Sequence, residues 1–419
     1  MPTNRAHGDY RLRFIVGAAL ATILMAVAAA PAVAATLIVA ADGHGSLTSC
    51  ADARPTPFTT IGSAVSAAAP HDTVRVCPGV YDEQVVITKP LTLQGVTGAT
   101  VKPSPMVGHT TSLVSGRALA AIVLVKGTTG VTVEGLILDG ADNGISSCAP
   151  SPSPFGVFFR NASGTIRHNT IRNMRLAPGG EACPDGTGIL VQRSGRGTSR
   201  VSIKFNSIHD YQKNGMTLNE PGSIVDVNSN VVTGSGVAAT EDQAGIQLAF
   251  GATGQVSENT VTNHLWSACV SADACPVSAP DIIVFESSNV DVSRNVLGTS
   301  QNAVVVVGDR NTVRDNLIAD TRIYDGVVVF GDGNTVLRNR IVNSAEAGVY
   351  VVGESNRILT NHIQDAPFGL LATAGNTAAG NRFVNVLILE EALVAPATSA
   401  VPGAGTDTPP DRPRINVQR

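Results

Sequence analysis

One asparagine recurs through most of the chain. Asn169, Asn206, Asn230, Asn259, Asn295, Asn316, Asn339, Asn361 and Asn381 each sit in a short, largely apolar stretch, as in Val292-Ser-Arg-Asn295-Val-Leu and Val336-Leu-Arg-Asn339-Arg-Ile. The last five stand 21, 23, 22 and 20 residues apart. A fixed period of that size carrying strands and turns is the signature of a solenoid, in which each repeat buries its apolar face only against its neighbours. Wider gaps, such as Asn169 to Asn206, place insertions on individual coils. A second strand precedes each asparagine strand and opens on glycine: Gly188-Ile-Leu-Val, Gly215-Met-Thr-Leu, Gly245-Ile-Gln-Leu, Gly326-Val-Val-Val, Gly348-Val-Tyr-Val and Gly369-Leu-Leu-Ala. Alternation points Ile189/Val191, Met216/Leu218, Ile246/Leu248, Val327/Val329 and Val349/Val351 inward as stacked aliphatic columns. At the turn, each asparagine amide can bond the asparagine of the next coil, which satisfies polar groups the stack would otherwise bury. No apolar spacing of i, i+3, i+4, i+7 persists, so helical solenoids are excluded. The expected fold class is all-β, a stacked parallel β-solenoid.

Composition agrees. Aromatics are 4% and charged residues 15%, while hydrophobic content is 43% and glycine 42 of 419 residues, which suits thin layers of short strands and excludes disorder as the general state. The formal charge of −4 gives no basic footprint for nucleic acid.

The chain opens on an export signal. Arg5, Arg11 and Arg13 precede the apolar run from Phe14 to Ala30, and Ala32-Val33-Ala34 offers small residues for cleavage after Ala34 or Ala35. The expected domains are a signal peptide over 1–35, a solenoid over 36–394 and a disordered Pro/Gly/Thr-rich tail over 395–419. Without the leader no membrane segment is expected, and the mature chain is secreted, periplasmic or at the cell surface. Six cysteines fit an oxidising compartment. Fifteen pairings are open; the sequential one, Cys50–Cys77, Cys148–Cys183 and Cys269–Cys275, staples local loops. A metal site is disfavoured, since there is no Cys-x-x-Cys and no His–Cys pairing.

From about Thr59 to Val386 the chain resembles the right-handed parallel β-helix, or pectate-lyase-like, superfamily of PbH1-type repeats. The opening carries the resemblance too: Ile61-Gly-Ser-Ala-Val-Ser-Ala-Ala-Ala, then Asp72-Thr-Val-Arg-Val-Cys-Pro-Gly-Val-Tyr, then Lys89-Pro-Leu-Thr-Leu-Gln-Gly. The first stretch reads as a short helix capping the N-terminal end of the core. The resemblance implies a single-stranded right-handed parallel β-helix. It does not fix an activity, since the superfamily holds lyases, hydrolases, esterases and epimerases of acidic polysaccharides beside non-catalytic members, among them proteins resembling the accessory factor for copper insertion into nitrous-oxide reductase.

The family's known sites are mostly missing. Gly79-Val-Tyr81-Asp-Glu83 matches an element of pectin methylesterases, but the catalytic Asp-Phe-Ile-Phe-Gly stretch is absent and Gln364-Asp365-Ala366 lies too late in the chain. Polygalacturonases need an Asp-Asp pair, which does not occur, and the single Gly43-His44-Gly45 precedes the first coil. The best calcium-like cluster, as in pectate lyases, is Asp139 and Asp142 with Asn143; an Asx-rich turn explains the same residues more simply. No cofactor is required on this reading, and Ca²⁺ is the one admissible metal.

The outward positions of the Gly-led strands carry the remaining signal. Alternation, with Asp281 aligned to Asp325, turns Arg160, Gln192, Asn219, Gln247, Asp281 and Glu286 to one exposed face. A ladder of amides with charges of both signs suits the hydroxyls and carboxylates of an acidic polysaccharide, the expected partner of a monomeric chain. Insertions over 149–186 and 265–279 would wall the groove, with Trp266 as a stacking face. Two functions stay open. In an enzyme of lyase or hydrolase type, Glu286 or Asp281 acts as acid/base, Arg160 binds carboxylate, and Gln192, Asn219, Gln247 and Trp266 bind substrate. In a non-catalytic surface, adhesion or accessory module, the same face binds glycan or protein. Further along, the outward pairs Val305/Val307, Val328/Phe330 and Tyr350/Val352 form an apolar strip that needs a cover, from Leu387–Val394 or a partner chain.

Overall fold

The computed structural model describes residues 34–46, 49–52, 54–180, 183–240, 242–266, 269, 277–393, 414–415 and 417–418. The expected signal peptide lies almost wholly outside these residues.

Each coil is built from the same three strokes. A strand such as Ser199–Lys204 alternates buried and half-exposed residues, so Val201 and Ile203 enter the core. One residue then turns left-handed, and the asparagine follows. His168, Phe205, Ser229, Glu258, Arg294, Asp315, Arg338 and Thr360 all take φ between 52° and 59°, each directly before a ladder asparagine. A short strand such as Ser207–His209 leaves the corner, and a Gly-led strand such as Asn214–Asn219 closes the coil. Successive coils pair in parallel register, Val201 beside Val225 and Met216 beside Ile246. Among the described residues the first strands form a 13-stranded sheet, and the other two strands of each coil run through a second sheet.

The asparagine corner is the polar spine of the stack. From Asn169 to Asn381 each Nδ2 donates to the Oδ1 of the asparagine one coil on, at 2.9–3.1 Å. The backbone N–H of Asn316 donates to the same Asn339 oxygen, at 3.0 Å. A second ladder, unexpected from the sequence, runs through Asn311, Asn334, Asn356 and Asn376. Buried amides are therefore satisfied wherever they are stacked.

The glycines opening the second strand are set by close approach. A Cβ on Gly188 would stand 2.6 Å from the Gly215 carbonyl oxygen and 2.7 Å from Ile208 Cγ2. This column therefore faces the core at a corner where neighbouring backbones nearly touch. Inside, Val, Ile and Leu fill the columns, each side chain worth about 1.5–3 kcal/mol when fully buried.

The N-terminal end is closed by the helix Ile61–Ala67, which buries Ile61, Ala64 and Val65. Both Glu83 carboxylate oxygens accept from its first amides, Ile61 at 2.6 Å and Gly62 at 2.7 Å. The esterase-like element is thus scaffold: Tyr81 donates its hydroxyl to the Cys77 carbonyl while Glu83 caps the helix. Cys50–Cys77 and Cys148–Cys183 form as expected. Cys269 is disulfide-bonded, and Cys275 lies outside the described residues.

At the far end the expectation of a fold-back needs correction. Arg382–Leu393 does not turn back over the apolar strip; it pairs in parallel with His362–Thr373 as one more coil, and Leu387 is exposed. The strip is nevertheless buried, with Val305, Val328 and Tyr350 covered and Leu393 and Val417 packed against it. Arg414–Ile415 pairs in parallel with Val277–Ser278. The end of the expected disordered tail thus contacts the solenoid, while 394–413 lie outside the described residues.

Candidate binding face

Strand register decides which side chains share a column. Lys126, Arg160, Gln192 and Asn219 stand directly beside one another in four consecutive coils. Gln247 lies in the neighbouring column, beside Thr217, while Ala249 and then Phe285 continue the Asn219 column. The face therefore passes from cations through amides to apolar residues.

It is not the open face expected from alternation. Lys126 is exposed and Arg160 half-buried, but Gln192, Asn219 and Gln247 are at most 1% exposed. Two segments lie over them. The hairpin at Thr110–Thr111 takes Arg160, whose Nε donates to the Thr111 carbonyl at 3.0 Å, and Leu113 donates its N–H to Gln192 Oε1 at 2.6 Å. Gln418, from the chain's end, takes the rest. Thr187 and Thr217 hydroxyls, one coil apart, both donate to its side-chain oxygen, at 2.8 and 2.9 Å. Asn219 Nδ2 and Gln247 Nε2 both donate to its backbone carbonyl, at 2.7 and 2.6 Å. The Gln418 N–H donates back to Gln247 Oε1 at 2.9 Å. Adjacent coils thus present donor pairs that converge on single oxygens. Alternation already turns Thr217 to this face, whereas Lys126, which strand register places beside Arg160, and Thr187 were missed by sequence reasoning; nothing local announces Gln418.

Asp281 and Glu286 do not join this face. Asp281 is fully buried, because it occupies the inward glycine column: Ile246 pairs with Ile282, which sets Asp281 beside Gly245. Asn302, one residue off the assumed alignment, is the true partner of Pro280. Inside the corner, His264 Nδ1 donates to Asp281 Oδ1 at 2.6 Å, the Tyr211 hydroxyl donates to His264 Nε2, and Ser300 donates to Asp281 Oδ2 at 3.1 Å. Burial pushes the Asp281 carboxyl up to about 6, with His264 holding it back, and pushes the Tyr211 hydroxyl well above its usual range. Val284 lies in the core as well. Glu286 is exposed in the turn after Pro280–Phe285, with φ of 47°. Trp266 packs against the pair Cys269 and Tyr324, as Ile323 does.

The calcium-like residues are each committed to protein partners. Asp139 accepts from Arg172 at 2.9 Å and Asn173 at 2.8 Å. Burial raises its carboxyl, and those bonds together with the Ala141 amide outweigh it, holding the group below its ordinary value. Asp142 pairs with Lys102 at 2.7 Å and is exposed, while Asn143 braces the turn through the Gly140 and Arg175 carbonyls. Lys213 and Asp242 form a buried ion pair, and half-buried Arg117 pairs with the buried Asp185. Among the described residues no group of three or more His, Cys, Asp and Glu could hold a metal ion.

Family models match in two stretches: a right-handed β-helix region over residues 123–279 and a periplasmic copper-binding protein (NosD) over residues 273–390. No curated protein matches in sequence. Among solved structures, the GH136 lacto-N-biosidase of Eubacterium ramulus superposes with a TM-score of 0.57 at 12% identity, over 84% of this chain and 68% of that one. The A-module of the mannuronan C-5 epimerase AlgE4 of Azotobacter vinelandii gives 0.50 at 17%, over 80% and 93%. XylC in complex with xylose gives 0.51 at 11%, over 84% and 86%. At such identities the likeness is one of fold, and it agrees with the Asn-spined coils: the chain is a right-handed parallel β-helix protein of the PbH1-repeat type.

Proposed function

We propose that this chain is an exported carbohydrate-binding β-helix that holds an extended acidic glycan along the face that runs from Lys126 and Arg160 to Thr217, Asn219 and Gln247, as a binding module. The face itself carries the reading. Two cations in consecutive coils, followed by the Thr217, Asn219 and Gln247 donors further along, match carboxylates and then hydroxyls of an extended chain. In the coils of Lys126, Arg160, Gln192 and Asn219, register places no carboxylate in their column or in the neighbouring one through Leu190, Thr217 and Gln247, so these positions supply no acid/base pair. The superposed structures named for lacto-N-biosidase, mannuronan epimerase and a xylose complex support a carbohydrate ligand. The disulfides support export, since such bonds persist in oxidising compartments.

The test is a panel of polygalacturonate, alginate and neutral dextran on the purified chain, read as retention and as release of unsaturated or reducing-end products. Expected is retention of the acidic polymers without turnover, weakened roughly tenfold by Arg160→Ala, the loss of one charged hydrogen-bond partner. EDTA should leave retention unchanged. Turnover abolished by Glu286→Gln would replace the binding reading with an enzymatic one.

A further inference from the structure

The residues that best fit a ligand already hold one: the chain's own end. Gln418 makes five hydrogen bonds to Thr187, Thr217, Asn219 and Gln247. Gln247 alone holds both main-chain groups of Gln418, accepting from the N–H and donating to the carbonyl. Val417 packs on the apolar strip, and Arg414–Ile415 adds a two-residue strand to Val277–Ser278. These contacts are short and polar, and the segment reaches Gln247 across 171 residues of sequence. The donors beneath it are fixed by the coils themselves: Gln247 Nε2 also donates to Asn219 Oδ1, and Asn214 Nδ2 donates to Thr217 Oγ1. These bonds lie within the coils and do not involve the tail, and a glycan hydroxyl or carbonyl oxygen can take each place now filled by a Gln418 oxygen.

We infer that Arg414–Gln418 is an autoinhibitory strap, a tethered competitor that must leave before an extended ligand can occupy the Thr187–Thr217 and Asn219–Gln247 donor pairs. The inference rests on the carbohydrate reading for the identity of the competing ligand, but not for the strap itself. A tethered segment competes at a high effective concentration, so even weak contacts lower apparent affinity in proportion to the fraction of molecules in which the strap is seated.

Two readouts on the full-length chain separate the claims. Amide exchange over 414–418 should be slow in the wild type and faster in Gln247→Ala, and saturating polygalacturonate should accelerate it in the wild type. Exchange as fast as in a free peptide overturns the strap. Polygalacturonate should bind Val417→Asp and Gln418→Ala chains roughly three- to tenfold more tightly than the wild type, as expected when a competing state is depopulated. Equal affinity in the three chains overturns the gating. If neither wild type nor variants bind any polymer, the carbohydrate reading falls, and exchange alone decides whether the strap stands.

Discussion

Burial holds the Asp281 carboxyl near 6, against 3.8 for a free side chain, so the fold favours its protonated form. That contribution to stability is fully present below about pH 4 and is lost as pH rises through 6. Asp281→Asn should therefore flatten the stability profile between pH 4 and 7, read as urea midpoints at stepped pH; an unchanged slope would place the titration elsewhere. The same residue marks where sequence reasoning stopped. The asparagine spine was legible because spacing alone specifies it, whereas Asp281 was aligned with Asp325 when the register sets Asn302 beside Pro280 and turns Asp281 into the glycine column. With period-2 alternation, one residue of slip moves a side chain from surface to core. The exposure of Gln192, Asn219 and Gln247 was misjudged for another reason. Their cover comes from Leu113 and Gln418, and no local pattern encodes contacts 79 and 171 residues away.

The Gly-led strand is an element defined by what it cannot carry. At Gly215 a Cβ would stand 2.5 Å from Val232 Cγ1 and 2.6 Å from the Gly245 carbonyl oxygen, with Tyr211 also close. Backbone on one side and core on the other leave little room to relax. Gly215→Ala should therefore cost about 1–3 kcal/mol, the usual range for overpacking, measurable by urea denaturation; a neutral result would mean the corner yields. Where another residue does occupy this column, as Asp281 does, the interior answers with the His264–Asp281 pair rather than an aliphatic contact. The outer face of the same strands grades from Lys126 and Arg160 to Phe285 and Val307 within one column. One element type thereby presents a polar surface at one end and an apolar one at the other.

Across the molecule, stability is the sum of coil-to-coil interfaces, and each interface repeats the same bonds. Removal of residues 317–339 in one piece would leave Asn316 facing Asn361, its amide geometry intact. Removal of half that segment would set unlike corners against each other. The whole-coil deletion should still unfold cooperatively with a modestly lowered midpoint, and the half-coil deletion should not fold; equal behaviour of the two would show that the spine does not set the register. The asparagine ladder thus works as a unit of length. A lineage carrying it can lengthen or shorten the protein a coil at a time while the outward columns keep their phase, so that the length of a face becomes a quantity open to selection separately from the chemistry each coil displays.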